Sequence, residues 1–388
     1  MANSIKISTY DINDIKIGTS SVTAVYVGTN LVWSGDTPPT PTPKNYLRTI
    51  ARDSGTISLV VGSSVSTSSL TSISYSLDSG STWVTSANTD GAVVTLETPS
   101  LTSGDTVYWK GDGVQLATNT STNTYTNFSA TTFYDVEGNV MSLLAGDNFE
   151  NAELASGYTY HLANLFRDDT KVINASGMTI PSMKMYDNCY QSMFRGCTSL
   201  TTAPSTLPAT TLADSCYYMM FYGCTSLTTT PQLQATTLSE GCYGWMFRGC
   251  TSLTTAPELP ATALQTRCYY YMFYGCSSLT TAPSTLPATI LADYCYQRMF
   301  YNCTSLTTAP TLPATTLADS CYYMMFYSCS SLRAITCLAT DISAANCTTS
   351  WLYGVAANGT FAKDSSMSSW SRGIKGIPSG WTVVDYSQ

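Results

Sequence analysis

Apolar positions in the second half of the chain recur with a spacing typical of one helix face. In one unit they follow one another at steps of four, four, four and three residues, as Leu212, Cys216, Met220, Cys224 and Leu227. The same run returns 26 residues further on. Such steps place side chains on one side of an α-helix. The spacing therefore predicts a helix at roughly residues 212–222 of this unit, with its apolar face buried.

Pairs of cysteines with seven residues between them divide this half of the chain into units. Successive first cysteines lie 26 or 27 residues apart, and a seventh unit opens at Cys347. The pairs are Cys189/Cys197, Cys216/Cys224, Cys242/Cys250, Cys268/Cys276, Cys295/Cys303 and Cys321/Cys329. A fixed period of about 20 to 29 residues with leucine at set positions is typical of leucine-rich solenoids, in which each turn supplies one strand and one helical segment.

Each predicted helix has an end signal and a strand after it. Gly223, Gly249 and Gly275 stand just before the second cysteine, where helices commonly end in a left-handed residue that glycine adopts readily. The following segments, such as SLTTAPELPAT, are rich in threonine and then proline, which suits a short strand closed by a turn. We expect their leucines and alanines to face inward. One unit alone buries too little apolar surface to fold, so stacking is required.

The repeats are expected to be capped at both ends. LFRDDTKVINAS, residues 165–176, aligns with MFRGCTSLTTAP, residues 193–204, and WLYG at residues 351–354 replaces the usual Met-Phe-x-Gly. The predicted organisation is an N-terminal cap at 129–188, a leucine-rich-repeat solenoid at 189–354 and a C-terminal cap at 355–388.

The first third of the chain has the alternation of β-structure. Residues 1–35 contain SVTAVYVGTNLVWSG, which predicts a β-hairpin module. Residues 36–44 carry four prolines among threonines, which favours an extended linker. Residues 45–128 contain short β-type runs separated by Ser, Gly and Asp turns, which predict an Ig-like β-sandwich. The predicted fold class is thus mainly β N-terminal modules followed by an α/β leucine-rich-repeat solenoid of about 26-residue units.

Charge and hydropathy exclude several classes of partner. Only 11% of the 388 residues are charged, and the net charge is −8. No run of lysines and arginines offsets the repulsion of phosphate backbones, so we expect no nucleic-acid partner. No stretch approaches the roughly 20 apolar residues of a membrane-spanning helix, and the first residues lack the pattern of a secretion signal. We expect a protein that is made in a cytoplasm, is not exported by the general secretion route and is not inserted in a membrane.

Candidate catalytic residues are few, and they lack the partner residues that catalysis would need. One stretch matches the Asp-box hairpin found in sialidases, as Ser76, Asp78, Gly80, Thr82 and Trp83. Neither an arginine cluster nor a nucleophile pair accompanies this copy, which favours a structural hairpin. The single histidine, His161, has no patterned partner for a triad. We expect no enzyme activity, no catalytic residue and no cofactor.

The cysteines are better explained by burial than by metal binding. Zinc sites use close cysteine pairs, whereas residues eight apart on a helix are separated by about 12 Å. We therefore expect no metal site, and the same distance excludes a disulfide within one helix. Free, buried thiols are favoured, and bridges between units remain an open alternative.

Variable positions off the apolar stripe form a candidate binding ladder. Two, three and six residues after each first cysteine the chain is rich in Tyr, Trp and Arg, which offer rigid contact area and hydrogen bonds. The candidate residues are Arg195, Tyr218, Tyr222, Trp245, Arg248, Tyr270, Tyr274, Arg298, Tyr301, Tyr323 and Tyr327. The alternative is that these side chains only fill grooves between units, and the sequence does not decide between binding and packing.

The repeat motifs resemble a known family. CYYMMFYGCTSLTTTP and LPATTLADSCYYMMF resemble BspA-type leucine-rich repeats, common in surface proteins of gut Bacteroidetes and their phages. The resemblance extends to TTFYDVEGNVMSLLAGDNF before the repeats and to GTFAKDSSMSSWSRGIKGIPSGWTV after them. It implies adhesion or recognition rather than catalysis.

The N-terminal VTAVYVGTNLVW looks like a small head module of phage virion proteins. The resemblance implies a phage virion protein, a tail or head fibre or decoration component, released by lysis. Its repeats would recognise a glycan or protein on the host surface, and its N-terminal module would contact other virion proteins. We expect a homo-oligomer, with a trimer as the first candidate. The alternatives are a bacterial cell-surface adhesin and a purely structural virion component.

Overall fold

The computed structural model describes residues 44–387, except residues 64, 90–91, 119–124, 182–183 and 375, together with four short strands between residues 16 and 34. The chain divides into two compact units, residues 1–45 and 46–388. In the first unit β1 (Lys16–Ile17) pairs with β2 (Ser20–Ser21), and β3 (Ala24–Val27) pairs with β4 (Asn30–Ser34), both antiparallel. The hairpin predicted for residues 1–35 is therefore present, and residues 36–43 of the predicted linker lie outside the described residues.

The second unit begins with a β-sandwich. One sheet has six strands in the order β13-β12-β5-β10-β7-β8, and the other has three in the order β11-β6-β9. Their bounds are β5 Leu47–Ala51, β6 Ile57–Val61, β7 Leu70–Ser76, β8 Val84–Ala87, β9 Val94–Glu97, β10 Thr106–Gly113, β11 Asn127–Ala130, β12 Tyr134–Asn139 and β13 Val172–Thr179. Trp109 of β10 and Phe128 of β11 meet edge to face at 5.1 Å, which joins the two sheets. The predicted sandwich fits the structure.

The sandwich continues into the repeats through β13. This strand pairs in parallel with β12 on one side. On the other side Asn174 bridges Thr202, and Thr202 in turn bridges Thr229. Short parallel bridges of this kind join later units, together with β14 (Thr206–Leu207) and β15 (Gln232–Leu233). The far end carries three parallel strands, β16 (Ala334–Cys337), β17 (Gly359–Lys363) and β18 (Trp381–Asp385). The boundaries predicted within residues 46–388 stay predictions.

The repeats contain no α-helix in the part of the chain that the structure describes, so the α/β prediction is wrong for them. The helices that the structure does describe, α1 (Ser142–Ala145) and a 3₁₀ turn (Gly146–Asn151), precede the repeats. Neither is long enough to cross a membrane. The predicted helix at 212–222 is instead a series of turns. The protein is mostly β, with little helix and a repeat region.

A left-handed residue at every fourth position prevents helix formation. In the repeat that contains Cys216 and Cys224, the residues Ser215, Met219 and Gly223 have φ values of 53°, 57° and 73°. The same three positions are left-handed in every unit from Asn188 onward. Each left-handed residue costs a non-glycine side chain about 1–2 kcal/mol and redirects the chain. The four-residue spacing that predicted a helix face is therefore the spacing of these turns.

Backbone hydrogen bonds explain why this conformation is stable. N–H groups at alternate positions donate to the next unit: Tyr217 to the carbonyl of Cys242, and Met219 to that of Gly244, both at 3.0 Å. The intervening N–H groups donate three residues back, as Tyr218 does to Ser215 at 3.1 Å. Every N–H of the segment thus has a partner, and half of those partners lie in the neighbouring unit. Stacking and backbone conformation are consequently coupled.

The interior of the stacked units consists of aligned rows of side chains. One row stacks phenylalanines with ring centroids 5.0–5.5 Å apart and planes within 9°: Phe128, Phe166, Phe194, Phe221, Phe247, Phe273, Phe300 and Phe326. A second row stacks tyrosines and continues to Trp351 and Trp370: Tyr190, Tyr217, Tyr243, Tyr269, Tyr296 and Tyr322. The apolar stripe predicted from Leu212 to Leu227 is buried, as expected.

All 14 cysteines are buried and carry free thiols. The second cysteine of each pair donates its thiol to a backbone carbonyl of the preceding unit, as Cys250 Sγ does to the carbonyl of Phe221 at 3.2 Å. Among the described residues, no group of three or more His, Cys, Asp or Glu side chains is placed to hold a metal ion. The cysteines thus contribute to the packed interior, as the sequence predicted.

Buried tyrosine hydroxyls in the second row should be dispensable for stability. The hydroxyls of Tyr190, Tyr217, Tyr243 and Tyr269 are buried without a hydrogen-bond partner in the described structure. An unsatisfied buried hydroxyl costs about 1–3 kcal/mol. We expect Tyr217→Phe to leave the free energy of unfolding unchanged or to raise it by about 1 kcal/mol in denaturant titrations.

Tyr134→Phe is the matched control for that substitution. The buried Tyr134 hydroxyl donates to Asp169 Oδ2 at 2.6 Å, so its loss removes the donor from this oxygen, leaves the carboxylate with the Lys171 N–H on Oδ1, and should lower stability. A Tyr217→Phe variant as destabilised as Tyr134→Phe would contradict the prediction and indicate an ordered water on the hydroxyl.

Candidate binding surface

The sixth residue after each first cysteine forms an unbroken row, here called the outer row. Its members are Arg195, Tyr222, Arg248, Tyr274, Tyr301, Tyr327 and Tyr353. The guanidinium carbon of Arg195 lies 5.2 Å from the Tyr222 ring, and that of Arg248 lies 5.3 Å from Tyr222 and 4.6 Å from Tyr274. The last four rings then stack at 4.5, 4.7 and 5.0 Å. Charge–ring and ring–ring contacts therefore connect seven successive units.

The backbone places these side chains in register. Tyr222 donates its N–H to Met219, three residues back, and its carbonyl accepts the N–H of Gly196 in the preceding unit. It is followed by a left-handed residue, Gly223 here and Asn302 or Ser328 in later units. Because each unit repeats this geometry, the side chains leave the stack in the same direction. Binding residues on a rigid backbone of this kind lose little freedom on contact with a partner.

Ring faces in the outer row are covered by neighbouring rings. Tyr301 has Tyr274 on one side and Tyr327 on the other, with planes within 8° of parallel. Stacking of a sugar on an aromatic platform needs an open ring face, which these tyrosines do not provide. Tyr353, 55% exposed, has a ring neighbour only on its Tyr327 side among the described residues. The row thus offers ring edges, phenol groups and guanidinium groups rather than ring faces.

A second cluster adjoins the outer row and is centred on Trp245. Its ring lies 6.4 Å from Tyr218, 6.1 Å from Tyr222 and 6.2 Å from Tyr270, and Arg248 covers it at 4.3 Å. We call these five residues the Trp245 cluster. They come from three successive units, and all are partly exposed. The structure therefore brings together five of the eleven predicted site residues.

Gly244 makes the Trp245 cluster possible. A Cβ at this position would lie 2.4 Å from Tyr270 Cε1 and 3.1 Å from Tyr218 Cδ2. Because glycine has no Cβ, Tyr218 and Tyr270 approach each other across the intervening unit, and their hydroxyls are 3.3 Å apart. Burial and this hydrogen bond raise the pKa of Tyr270. Tyr270 therefore stays neutral at physiological pH.

Gly244→Ala should disrupt the Trp245 cluster while leaving the interior intact. The new methyl group collides with the ring of Tyr270, which can turn outward because it is partly exposed. We expect a loss of the Tyr218–Tyr270 contact, a change in Trp fluorescence and a change in stability below about 2 kcal/mol. Fluorescence and denaturant titration of the same sample test both parts. An unchanged spectrum would contradict the expected rearrangement.

The remaining predicted residues form a third group. Arg298 lies 5.2 Å from the Tyr271 ring and 5.3 Å from the Tyr323 ring, and it also donates to the Tyr271 hydroxyl. Its Nε contacts Met324 Sδ at 3.3 Å. Tyr271 and Tyr353 were not among the eleven candidates, although Tyr271 stands at a predicted ladder position, three residues after Cys268. The spacing held the signal for Tyr353, since it stands six residues after Cys347.

The three arginines of this surface have no acidic partner. Among the described residues, the ion pairs do not include Arg195, Arg248 or Arg298. Most carboxylates of the repeats stand two residues before a first cysteine, where Asp214 and Asp319 accept backbone N–H groups of the next unit. The guanidinium groups are thus held by aromatic rings and remain available for an anion.

The other predicted motifs are structural. Asp78 accepts the Thr82 hydroxyl at 2.6 Å, the Ser76 hydroxyl at 2.7 Å and the Thr82 N–H at 2.8 Å, and these hydrogen bonds lower the pKa of its carboxyl to about 2. The motif closes the turn between β7 and β8, and Trp83 packs beneath it against Tyr46. His161 is buried with Nε2 2.9 Å from the Ala155 carbonyl, and burial lowers its pKa.

Comparison with known proteins gives a similarity for the repeats. Residues 220–346 match the model of the BspA type leucine rich repeat region in six copies. Searches of curated proteins and of solved structures found no match to this chain. The match covers the stacked units that carry most of the outer row, and it supports the resemblance seen in the sequence. The repeat region at residues 220–346 is therefore similar to BspA-type leucine-rich repeats.

Proposed function

We propose that this chain is a non-enzymatic recognition protein whose repeats bind a ligand on a cell surface, a glycan or a protein. The observation that carries the proposal is the outer row, an unbroken series of Arg and Tyr side chains on one side of seven units. Together with the Trp245 cluster it offers many weak contacts along one line. We further infer that the stacked units form one solenoid and that the ligand runs along it.

The packing alternative accounts for only part of this surface. Ring stacking contributes to the contact between units, and aromatic pairs add about 0.5–1.5 kcal/mol each. Packing alone does not require three arginines without carboxylate partners. Tyr and Arg are also the residue types enriched where binding energy is concentrated. These features favour a surface that packs and binds at once.

At a finer level, we propose a phage virion component, a tail or head fibre or decoration protein. The antiparallel pair of β3 and β4 is the segment that resembles a virion head module, and it would attach the chain to other virion proteins. Homo-oligomers on a virion would multiply weak sites into avidity. Detection in purified virions supports this role, whereas detection in the envelope of uninfected bacteria supports the adhesin alternative.

Binding of the full-length chain to intact host cells tests the recognition proposal. A variant with Tyr274→Phe, Tyr301→Phe and Tyr327→Phe keeps the stacked rings and removes three phenol hydroxyls, so it should fold normally and bind more weakly. A variant with Gln234→Ala, Glu258→Ala and Thr289→Ala changes three exposed residues outside the row and is the control. Full-length chain that does not bind cells would leave a structural virion role and overturn recognition.

A further inference from the structure

We propose that the ligand is an anionic polysaccharide whose acidic groups, carboxylate, sulfate or phosphate, are bound by Arg195, Arg248 and Arg298. This inference rests on the proposed recognition function and specifies its ligand class.

The five arginines of the repeats fall into two groups. Arg267 pairs with Glu240 at 3.3 Å, and Arg333 donates to Asn358 Oδ1 at 2.7 Å. Arg195, Arg248 and Arg298 lie on aromatic rings, as Arg267 does on Tyr294, but they have no acidic partner in the described structure. In a protein of net charge −8, unpaired cations gathered on one surface are a specific feature rather than an average one.

The rings hold these guanidinium groups in place before any ligand arrives. The Arg248 guanidinium lies 4.3 Å from the Trp245 ring, 4.6 Å from Tyr274 and 5.3 Å from Tyr222, so three rings restrain it. Rings that cover the face of a guanidinium do not occupy its N–H edge, which suits a bidentate acceptor such as carboxylate or sulfate. Arg298 already donates from Nη1 to the Tyr271 hydroxyl, so an anion there would take its remaining N–H groups. Restraint in the free protein reduces the entropy lost on binding. The arrangement therefore suits anion recognition.

The three arginines occur in alternate units. Arg195 belongs to the first cysteine unit, Arg248 to the third and Arg298 to the fifth. Units joined by parallel bridges are about 4.8 Å apart, so the cations recur at roughly 10 Å along the stack. A polysaccharide with one acidic sugar in each disaccharide presents its charges with the same alternation. The intervening units offer Tyr222 and Tyr274, whose phenol hydroxyls can form hydrogen bonds with the neutral sugar between two charges.

Other anionic polymers match this spacing less well. Same-face side chains of an extended peptide recur at roughly 6.6 Å, which corresponds to neither one unit nor two. Phosphates of a nucleic-acid strand recur at about 3.4 Å in a duplex, and the acidic chain would repel such a dense line of charge. The alternating cations therefore favour a glycan over an acidic protein or a nucleic acid.

The test measures binding of the full-length chain to hyaluronan and chondroitin sulfate, two polymers of acidic disaccharides. Carboxyl-reduced hyaluronan is the neutral probe, and polyglutamate is the acidic peptide probe. We expect binding to at least one acidic glycan, weakened by salt, and no binding to the reduced polymer. Changing Arg195, Arg248 and Arg298 to Gln should lower affinity at least about tenfold. Arg267→Gln with Arg333→Gln is the charge-removal control and should retain affinity.

Host-cell binding by the same variants makes the result decisive. If the triple Arg variant binds cells as well as the unchanged chain does, the inference is wrong while recognition stands. Equal losses in the triple variant and in the control, or equal binding of polyglutamate, also overturn it, because they indicate general charge attraction or an acidic protein. If the unchanged chain binds no cells at all, the recognition proposal itself fails.

Discussion

Raising the pH from 8 to about 11 is expected to unfold the repeats in one steep transition. Burial raises the pKa of every cysteine thiol in the chain, for example to about 12 for Cys276 and well above the ordinary value for Cys224. An unfolded thiol loses its proton near pH 8.5. Above that pH the folded state holds protons that the unfolded state has released, so stability falls as pH rises. Below about pH 8 this contribution to stability is complete.

The size of this effect follows from the number of thiols. Each buried thiol removes about 1.4 kcal/mol of stability per pH unit between its unfolded and folded pKa values. All 14 cysteines are buried and act in the same direction. Buried tyrosines such as Tyr217 and Tyr243 add to the loss above about pH 10, because burial raises their pKa as well. A transition compressed into about one pH unit is therefore expected.

Circular dichroism of the reduced chain between pH 7 and 12, equilibrated at each pH, measures this transition. Cys250→Ala with Cys276→Ala is the matched variant. Replacing two thiols should make the fall of unfolding free energy with pH shallower by about 3 kcal/mol per pH unit in denaturant titrations. Native thiols should also resist alkylation at pH 8 and all react in denaturant. A chain that keeps its spectrum at pH 12, or thiols that react while folded, would refute the argument.

Phe247→Ala is expected to lower the free energy of unfolding by about 3–5 kcal/mol. The ring is fully buried and stacks on Phe221 and Phe273 at 5.5 Å on both sides. Its removal opens a cavity in the middle of the phenylalanine row and separates the units before it from those after it. Because units contact mainly their neighbours, the loss cannot be shared along the stack.

Phe247→Leu is the control for that substitution, since it keeps apolar volume and loses only the ring contacts. We expect this variant to lose less than half of the stability that the alanine variant loses in guanidinium titration. Splitting of the single unfolding transition into two in Phe247→Ala would show that the row couples the units. An alanine variant within about 1 kcal/mol of the unchanged chain would mean that the row is not a stabilising element.

The sequence predicted the period, the inward residues and the sandwich, but not the backbone of the repeats. Steps of four residues serve a helix face and a series of four-residue turns equally well, so Cys216, Met220 and Cys224 were assigned correctly to the interior and incorrectly to a helix. The left-handed positions are held by Met219, Trp245 and other residues with no preference for that conformation. Hydrogen bonds to the next unit impose it, and those bonds are not visible in a single unit of sequence.

The candidate surface was predictable as a set of positions but not as an arrangement. Counting six residues from each first cysteine gives the outer row, including Tyr353. That neighbouring rings cover each other's faces depends on the distance between units, which the sequence does not state. The closure of Tyr218 and Tyr270 over Gly244 also depends on three units at once. The structure therefore turns the predicted ladder of positions into a row of ring edges and cations.

Backbone hydrogen bonds that run from each unit to the next have a consequence for inheritance. Because alternate N–H groups find carbonyls in the neighbouring unit whatever the side chains are, one unit offers the same docking edge as any other. An in-frame duplication or deletion of 26 residues therefore lengthens or shortens the stack without redesigning a junction. Near-identical stretches such as those around Cys216 and Cys321 favour recombination of this kind. The length of the surface that the repeats offer to a polymer is thus a trait that a lineage can change in single genetic steps, one repeat unit at a time.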